Sequence, residues 1–331
     1  MRALIVKTSS LGDIIHTLPA LTDAAHAFSD IRFDWVAEKG FAEIPSWHAQ
    51  VERVIPVSWR KWRKNLKASW QSGEMREFYQ ALRHTTYDQV IDAQGLLKSA
   101  VIARMAKGKQ YSGLDSHSAR ERLASLFYQQ KHFASWQLHA VTRARQLFAK
   151  ALGYEVPEGM PDYGIRQHFP VTTQQTPHVI FFHGTTRDDK EWPVPHWIEL
   201  AKYCTAAGYQ VLLPWGNEVE QKRAETIAAA SIGTKVLPKT SLQELAILLS
   251  QASAVLAVDT GLGHLAAALN VPTVSLYGPT DPSLIGACGQ NQLHICAPGE
   301  AGKGVLSELT AEKVWENFEK MLGPVRRYAE I

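Results

Sequence analysis

The chain has 331 residues, 45% of them hydrophobic and 20% charged, with a net charge of +3. Such a length favours two domains over one, the composition is that of a globular protein, and the charge is too small to demand nucleic acid as a partner. The three cysteines, Cys204, Cys288 and Cys296, show no C-x-x-C pair or zinc spacing, and their odd number argues against a full disulfide framework and fits a reducing cytosol. At the N-terminus the apolar run Ala3 to Val6 is cut off by Lys7, so it is not a signal peptide. No stretch approaches about 18 apolar residues, so no membrane span is expected and any membrane association is peripheral.

Residues 3–7 predict a first strand, followed by a Gly-containing turn and a helical region to about Phe28. Pro19 either kinks that helix or opens a second one capped by Thr17. Strands are predicted at 33–37, 54–57 and 89–93, the last leading through Gly95 into a helix with Leu96, Leu97 and Val101. Residues 155–178 hold Pro157, Pro161, Pro170 and Pro177 and read as a linker. The pattern then restarts, with strands at 179–182, 210–214, 254–258 and 271–277 and helices at 197–207, 224–230 and 265–269. A closing helix, about 310–322, sets Val314, Trp315, Phe318, Met321 and Leu322 on one face. Alternating strands and helices predict an α/β chain with two parallel, doubly wound, Rossmann-like sheets.

Chemistry-bearing residues recur just after strands, where open α/β sheets place ligands. The first set is Lys7-Thr8-Ser9-Ser10-Leu11-Gly12-Asp13, with Asp13 either a general base or a helix cap. It is not a P-loop, for G-x-x-x-x-G-K-[ST] is absent. The second is 183–193, HGTTRDDKEWP, whose hydroxyls, Arg187 and Lys190 suit pyrophosphate oxygens, or whose charges pair among themselves. The third is 215–220, WGNEVE, where a carboxylate accepts from ribose hydroxyls or simply opens a helix. The fourth is Asp259-Thr260-Gly261-Leu262-Gly263-His264, a turn whose free N–H groups and helix dipole suit a phosphate. Gly261 to Ala266 also fits G-x-G-x-x-A, but the acid about 20 residues on is Asp281 in a Gly/Pro loop, which argues against a dehydrogenase. The histidines show no H-E-x-x-H or similar spacing, so no metal site is expected.

One segment stands apart. Residues 59–70 carry Arg60, Lys61, Arg63, Lys64 and Lys67 among Trp59, Trp62 and Trp70. A solvated amphipathic helix, an anionic substrate, an anionic membrane or nucleic acid all fit such a run, and the tryptophans weigh towards a membrane interface. Arg120 and Arg122 could add to the same surface.

Taken in order, SSLGDIIHTLPAL, DAQGLLKS, HGTTRDDKEWP, PWGNEVE and VDTGLGHL…YGPTDP resemble the lipopolysaccharide heptosyltransferase I family from residue 1 to about 322. The resemblance implies a GT-B glycosyltransferase fold. Its domains would be an acceptor domain (1–165), a donor domain (166–310) and a helix and tail (311–331) packing back toward the first domain. It implies metal-independent, inverting transfer of L-glycero-D-manno-heptose from ADP-heptose to the first Kdo of Kdo2-lipid A, with no cofactor and no nucleic acid. A monomer is expected, cytoplasmic and peripheral on the inner membrane.

By the same resemblance Asp13 becomes the base and Lys190 a second catalytic group. Thr185, Thr186, Lys190, Glu220, Thr240, Asp259, Thr260, Gly261, Gly263 and His264 would hold the donor. Ser10, Gly12, Arg60, Arg63, Gln94, Lys98 and Arg120 would hold the acceptor. Gly263 stands where relatives often have Ser, Thr240 where Met can occur and Gly184 where Ala is seen. Two alternatives remain at this level: heptosyltransferase II-type acceptor choice, and a nucleotide-sugar epimerase or hydrolase on the same fold. A non-catalytic nucleotide-binding or membrane-adaptor module would instead bind ADP without turnover.

Overall fold

The runs that are apolar in sequence become central strands of two separate sheets. A computed structural model describes residues 1–169 and 176–322. The chain divides into two compact units, Met1–His168 and Phe169 onward.

The first unit runs β1 (Arg2–Val6), α1 (Leu11–Ile15), α2 (Leu18–Ala27), β2 (Arg32–Glu38), α3 (Glu43–Ser46), β3 (Val51–Val57), α4 (Trp59–Lys64), α5 (Leu66–Gln71), α6 (Glu74–Leu82), β4 (Thr86–Asp92), α7 (Leu97–Met105), β5 (Lys107–Leu114), β6 (Gln130–His132) and α8 (Ala140–Leu152). Its six parallel strands lie in the order β3-β2-β1-β4-β5-β6. Ala3, Leu4, Ile5 and Val6 are wholly buried because helices cover both faces of a parallel sheet. Thr17 and Pro19 do open a second helix. Gly153, at φ 84°, ends α8 in the left-handed conformation that glycine adopts without strain.

The second unit runs β7 (His178–Phe182), α9 (Val194–Ala206), β8 (Gln210–Leu213), α10 (Glu218–Ala229), β9 (Thr234–Val236), α11 (Leu242–Gln251), β10 (Ala254–Val258), α12 (Gly261–Ala268), β11 (Thr273–Tyr277), α13 (Pro282–Ile285), β12 (Gln292–Cys296) and α14 (Ala311–Met321). Its order is β12-β11-β10-β7-β8-β9, the same winding as the first sheet. Ser241 and Glu244 form a reciprocal capping box at the start of α11.

The division of the chain and the seat of the closing helix both follow from packing. The boundary falls at His168/Phe169 rather than at 165/166. The buried face of α14 is part of the second unit's core. Ala311, Val314 and Phe318 are wholly buried with Phe181, Trp192 and Trp197, and Phe318 meets Phe181 edge-on at 6.3 Å. Truncating such a buried phenylalanine costs about 3–5 kcal/mol, so α14 is structural to that unit. The expected tail at 323–331, and the linker residues 170–175, lie outside the described residues.

Candidate active site

In both sheets the winding reverses between the first and fourth strands, β1/β4 and β7/β10. Ligands of such sheets bind outside the carboxyl ends of the strands at that switch point. All four of those ends carry the singled-out motifs.

In the first unit, β1 runs into Lys7–Ser10 and α1 brings Asp13 back over it. Asp13 Oδ2 accepts from Ser10 N and Ser10 Oγ, both at 2.8 Å. Asp13 Oδ1 lies 3.8 Å from Lys7 Nζ, which donates to Ala93 O at 3.0 Å. Burial works to raise the Asp13 pKa, but the Lys7 charge, the Ser10 bonds and Arg120 outweigh it and hold the carboxyl below its ordinary value. Burial is also the main force pushing the Lys7 ammonium down, with Arg120 and Arg143 adding to it against Asp13 and Asp92. Behind the loop, Gln94 Oε1 accepts from Thr8 N at 2.9 Å and Ser9 N at 3.2 Å. Gln94 is itself set by Asp92, which accepts from Gln94 N, Gly95 N, Ser99 Oγ and Tyr128 OH. Gly95 needs its φ of +69°, and a Cβ there would stand 3.4 Å from Arg120 N. Thus Ser10, Asp13, Gln94 and Arg120 converge on one loop.

In the second unit, β7 is followed by His183, a buried imidazole that burial, aided by Arg223, pushes down to about 4 and so keeps neutral. The loop then places Lys190 Nζ 2.5 Å from Asp259 Oδ2, both side chains nearly buried. Thr185 Oγ1 reaches Asp259 O at 3.4 Å. Asp259 follows β10, and Thr260 is the N-cap of α12 with no side-chain capping bond. Gly263 lets α12 sit close on β10, for a Cβ would come within 3.2 Å of Ala257 Cβ. His264 is buried in the same helix. Glu220, near the start of α10, accepts from Gly216 N at 2.7 Å and Asn217 Nδ2 at 2.9 Å. Its carboxyl presses against Gly184, where a Cβ would come within 2.5 Å of Glu220 Cδ. Thr240 lies beyond the end of β9, its hydroxyl donating to Pro238 O at 2.7 Å. Among the described residues no group of three or more His, Cys, Asp or Glu is arranged to hold a metal ion.

The glycosyltransferase family 9 (heptosyltransferase) pattern matches residues 75–315. The chain belongs to that family. This heptosyltransferase is 54% identical to lipopolysaccharide heptosyltransferase 1 of Pseudomonas aeruginosa, over 90% of this chain and 86% of the relative. It is 25% identical to lipopolysaccharide heptosyltransferase 2 of Escherichia coli, over 97% and 99%. The structure of E. coli heptosyltransferase WaaC with ADP covers 97% of this chain and 100% of its own, at 51% identity and a TM-score of 0.92. The WaaC structure with ADP-2-deoxy-2-fluoro heptose gives 50% identity, 97% and 99% coverage and a TM-score of 0.89. The fold of the heptosyltransferase is therefore GT-B.

Residues expected to hold the acceptor also have contacts within the protein. Gln94 spends its side-chain oxygen on the β1 loop. Lys98 and Arg63 line an open groove with Trp59 and Leu97. Arg60 is exposed, and its backbone N–H donates to Glu38 Oε1 at 3.1 Å. The tryptophans of 59–70 are not one interfacial set. Trp62 is buried edge-on to Phe78 at 5.4 Å and donates to Glu74, whereas Trp70 is exposed. The Lys7 partnership, Glu38, Tyr128 and Arg143 carried no sequence signal, because each acts through residues distant in the chain. The one available hint was Asp92, inside the quoted DAQGLLKS.

Proposed function

We propose that this heptosyltransferase transfers L-glycero-D-manno-heptose from ADP-heptose to the first Kdo of Kdo2-lipid A, with inversion and without a metal, at the cytoplasmic face of the inner membrane. One observation carries this reading. An ionised carboxylate, Asp13, stands at the switch point of one sheet, and a Lys190–Asp259 pair beside the α12 N-terminus stands at that of the other. The relatives named heptosyltransferase 1 and the ADP-bound WaaC structures support the donor and the reaction class.

A sugar hydroxyl is a poor nucleophile, so its proton must leave as it attacks the anomeric carbon. A carboxylate held below the ordinary range is fully ionised at neutral pH and takes that proton as the attacking oxygen grows acidic. Such a base contributes about 10²–10⁴-fold. Ser10 occupies Oδ2, which favours Oδ1 as the proton acceptor. ADP leaves from the opposite face with charge growing on its β-phosphate. Lys190 has three donors; one goes to Asp259 and the others can meet that charge, with the first N–H groups of α12 at residues 261 and 262. Glu220, fixed by Gly216 and Asn217, keeps lone pairs for ribose hydroxyls.

Incubating the purified enzyme with ADP-heptose and deacylated Kdo2-lipid A tests this, with mass analysis and the anomeric NMR signal of the product. One added heptosyl group of inverted configuration supports it. Donor breakdown with the acceptor unchanged would point to a hydrolase or epimerase, and reaction only with an acceptor already carrying heptose to type II specificity.

A further inference from the structure

One face of the first unit presents apolar side chains that its core does not use. Leu66 and Trp70 on α5 are 64% and 73% exposed, and Leu123 and Leu126 on the 3₁₀ turn Arg122–Phe127 are 61% and 70% exposed. Leu97 and Val101 on α7 are exposed as well. These elements are continuous. α5 packs beside α4, and α7 packs beside the turn. An open groove of about 580 Å³ joins the two pairs, lined by Trp59 and Arg63 of α4, by Leu96, Leu97, Lys98 and Val101, and by Glu121.

The charge on this face is predominantly positive, with Glu121 as the exception. α4, α5, α7 and the 122–127 turn contain eight Lys or Arg and no Asp or Glu. Among the described residues only Lys61 of the eight forms an ion pair, with Glu74. Glu121, at the foot of the turn, is engaged by Leu97 N at 2.6 Å. Soluble surfaces rarely leave large apolar side chains gathered in this way. Leucines and a tryptophan standing among unpaired cations match a lipid interface, where apolar tips enter the acyl boundary and cations reach the phosphates. Protein interfaces deplete lysine and other charged residues from their apolar core, whereas here the cations stand among the exposed leucines and tryptophan.

We propose that this face docks on an anionic phospholipid bilayer, with Leu123, Leu126 and Trp70 entering the headgroup boundary. The inference rests on the reading of a lipid-anchored acceptor, and it gives that acceptor a route. The face borders the Asp13 loop, because Glu121 N donates to Gly95 O at 3.0 Å and Gln94, the residue before Gly95, holds Thr8 and Ser9.

Flotation of the full chain with phosphatidylethanolamine/phosphatidylglycerol vesicles, against phosphatidylcholine vesicles, tests it. The wild type floats with the anionic vesicles, and less so as salt rises. The exposed double variant Leu123→Ser/Leu126→Ser, and independently Trp70→Ser, bind those vesicles roughly tenfold or more weakly. They keep wild-type kcat/KM on deacylated acceptor and lose it on acceptor embedded in vesicles. A wild type that stays unbound, variants that float like it, or variants equally impaired on deacylated acceptor would each overturn the proposal. A wild type that floats yet transfers no heptose to deacylated acceptor would sink the proposed reaction and leave the docking face standing.

Discussion

Replacing Gln94 with leucine separates a loop-holding side chain from a substrate contact. Gln94 Oε1 is the acceptor for Thr8 N at 2.9 Å and Ser9 N at 3.2 Å. Leucine has similar bulk and opens no large cavity, but both N–H groups lose their partner. A buried donor left unsatisfied costs about 1–3 kcal/mol. Thr8 is buried and Ser9 half-buried, so Ser9 regains water and Thr8 does not. The net loss is then about 2 kcal/mol, close to one full penalty. For a domain of this size that lowers Tm by roughly 4–8 °C. The same loop carries Ser10, which fixes Asp13 Oδ2. A displacement of about 1 Å in a reacting group can cost 10²-fold in rate. Initial rates at varied donor and acceptor, beside a thermal melt, therefore show lower kcat, lower Tm and nearly constant KM for both substrates. Normal Tm and kcat with a raised acceptor KM would refute this reasoning and return Gln94 to the acceptor site.

Lys7→Met removes the charge that most strongly opposes burial at Asp13, so the Asp13 pKa rises. Activity needs the ionised carboxylate and is lost as pH falls through that pKa, so the acidic limb of kcat/KM moves to higher pH; an unmoved limb contradicts the pairing. Lys190→Ala costs about 2.7–4 kcal/mol of transition-state stabilisation, the range of a lost oxyanion donor, and a kcat within a few-fold of wild type would remove it from the chemistry. Arg60→Ala with Arg63→Ala raises acceptor KM and leaves donor KM nearly constant, an effect that shrinks as salt rises; equal effects on both substrates would make the segment an ordinary solvated face.

What the sequence made legible follows from where its physics is local. β1, β7 and β10 read directly because parallel strands covered on both faces are near-continuous apolar runs. The site motifs read well because each follows such a strand. β5, KGKQYSGL, carried no such signal, yet it pairs with β4 through most of its length. Its Gly113 is needed for a reason visible only in three dimensions: a Cβ would stand 2.3 Å from Tyr128 Cε2. That close approach lets Tyr128 reach Asp92, 36 residues away, at 2.6 Å. Trp62 misled in the other direction. A charge run describes the exposed side of a helix and says nothing of the one residue turned inward against Phe78. α14 shows the same limit, because an apolar helical face announces that it will be buried but not against which sheet.

Asp13→Asn bears on the chemistry with the least interference, since asparagine keeps the size and an acceptor oxygen for Ser10 but cannot take a proton. Steady-state heptose transfer to deacylated Kdo2-lipid A is measured beside ADP affinity and Tm. If Asp13 is the base, turnover falls about 10²–10⁴-fold while ADP affinity and Tm stay near wild type. Near-normal turnover would make Asp13 a helix cap and leave the proposed mechanism without its base.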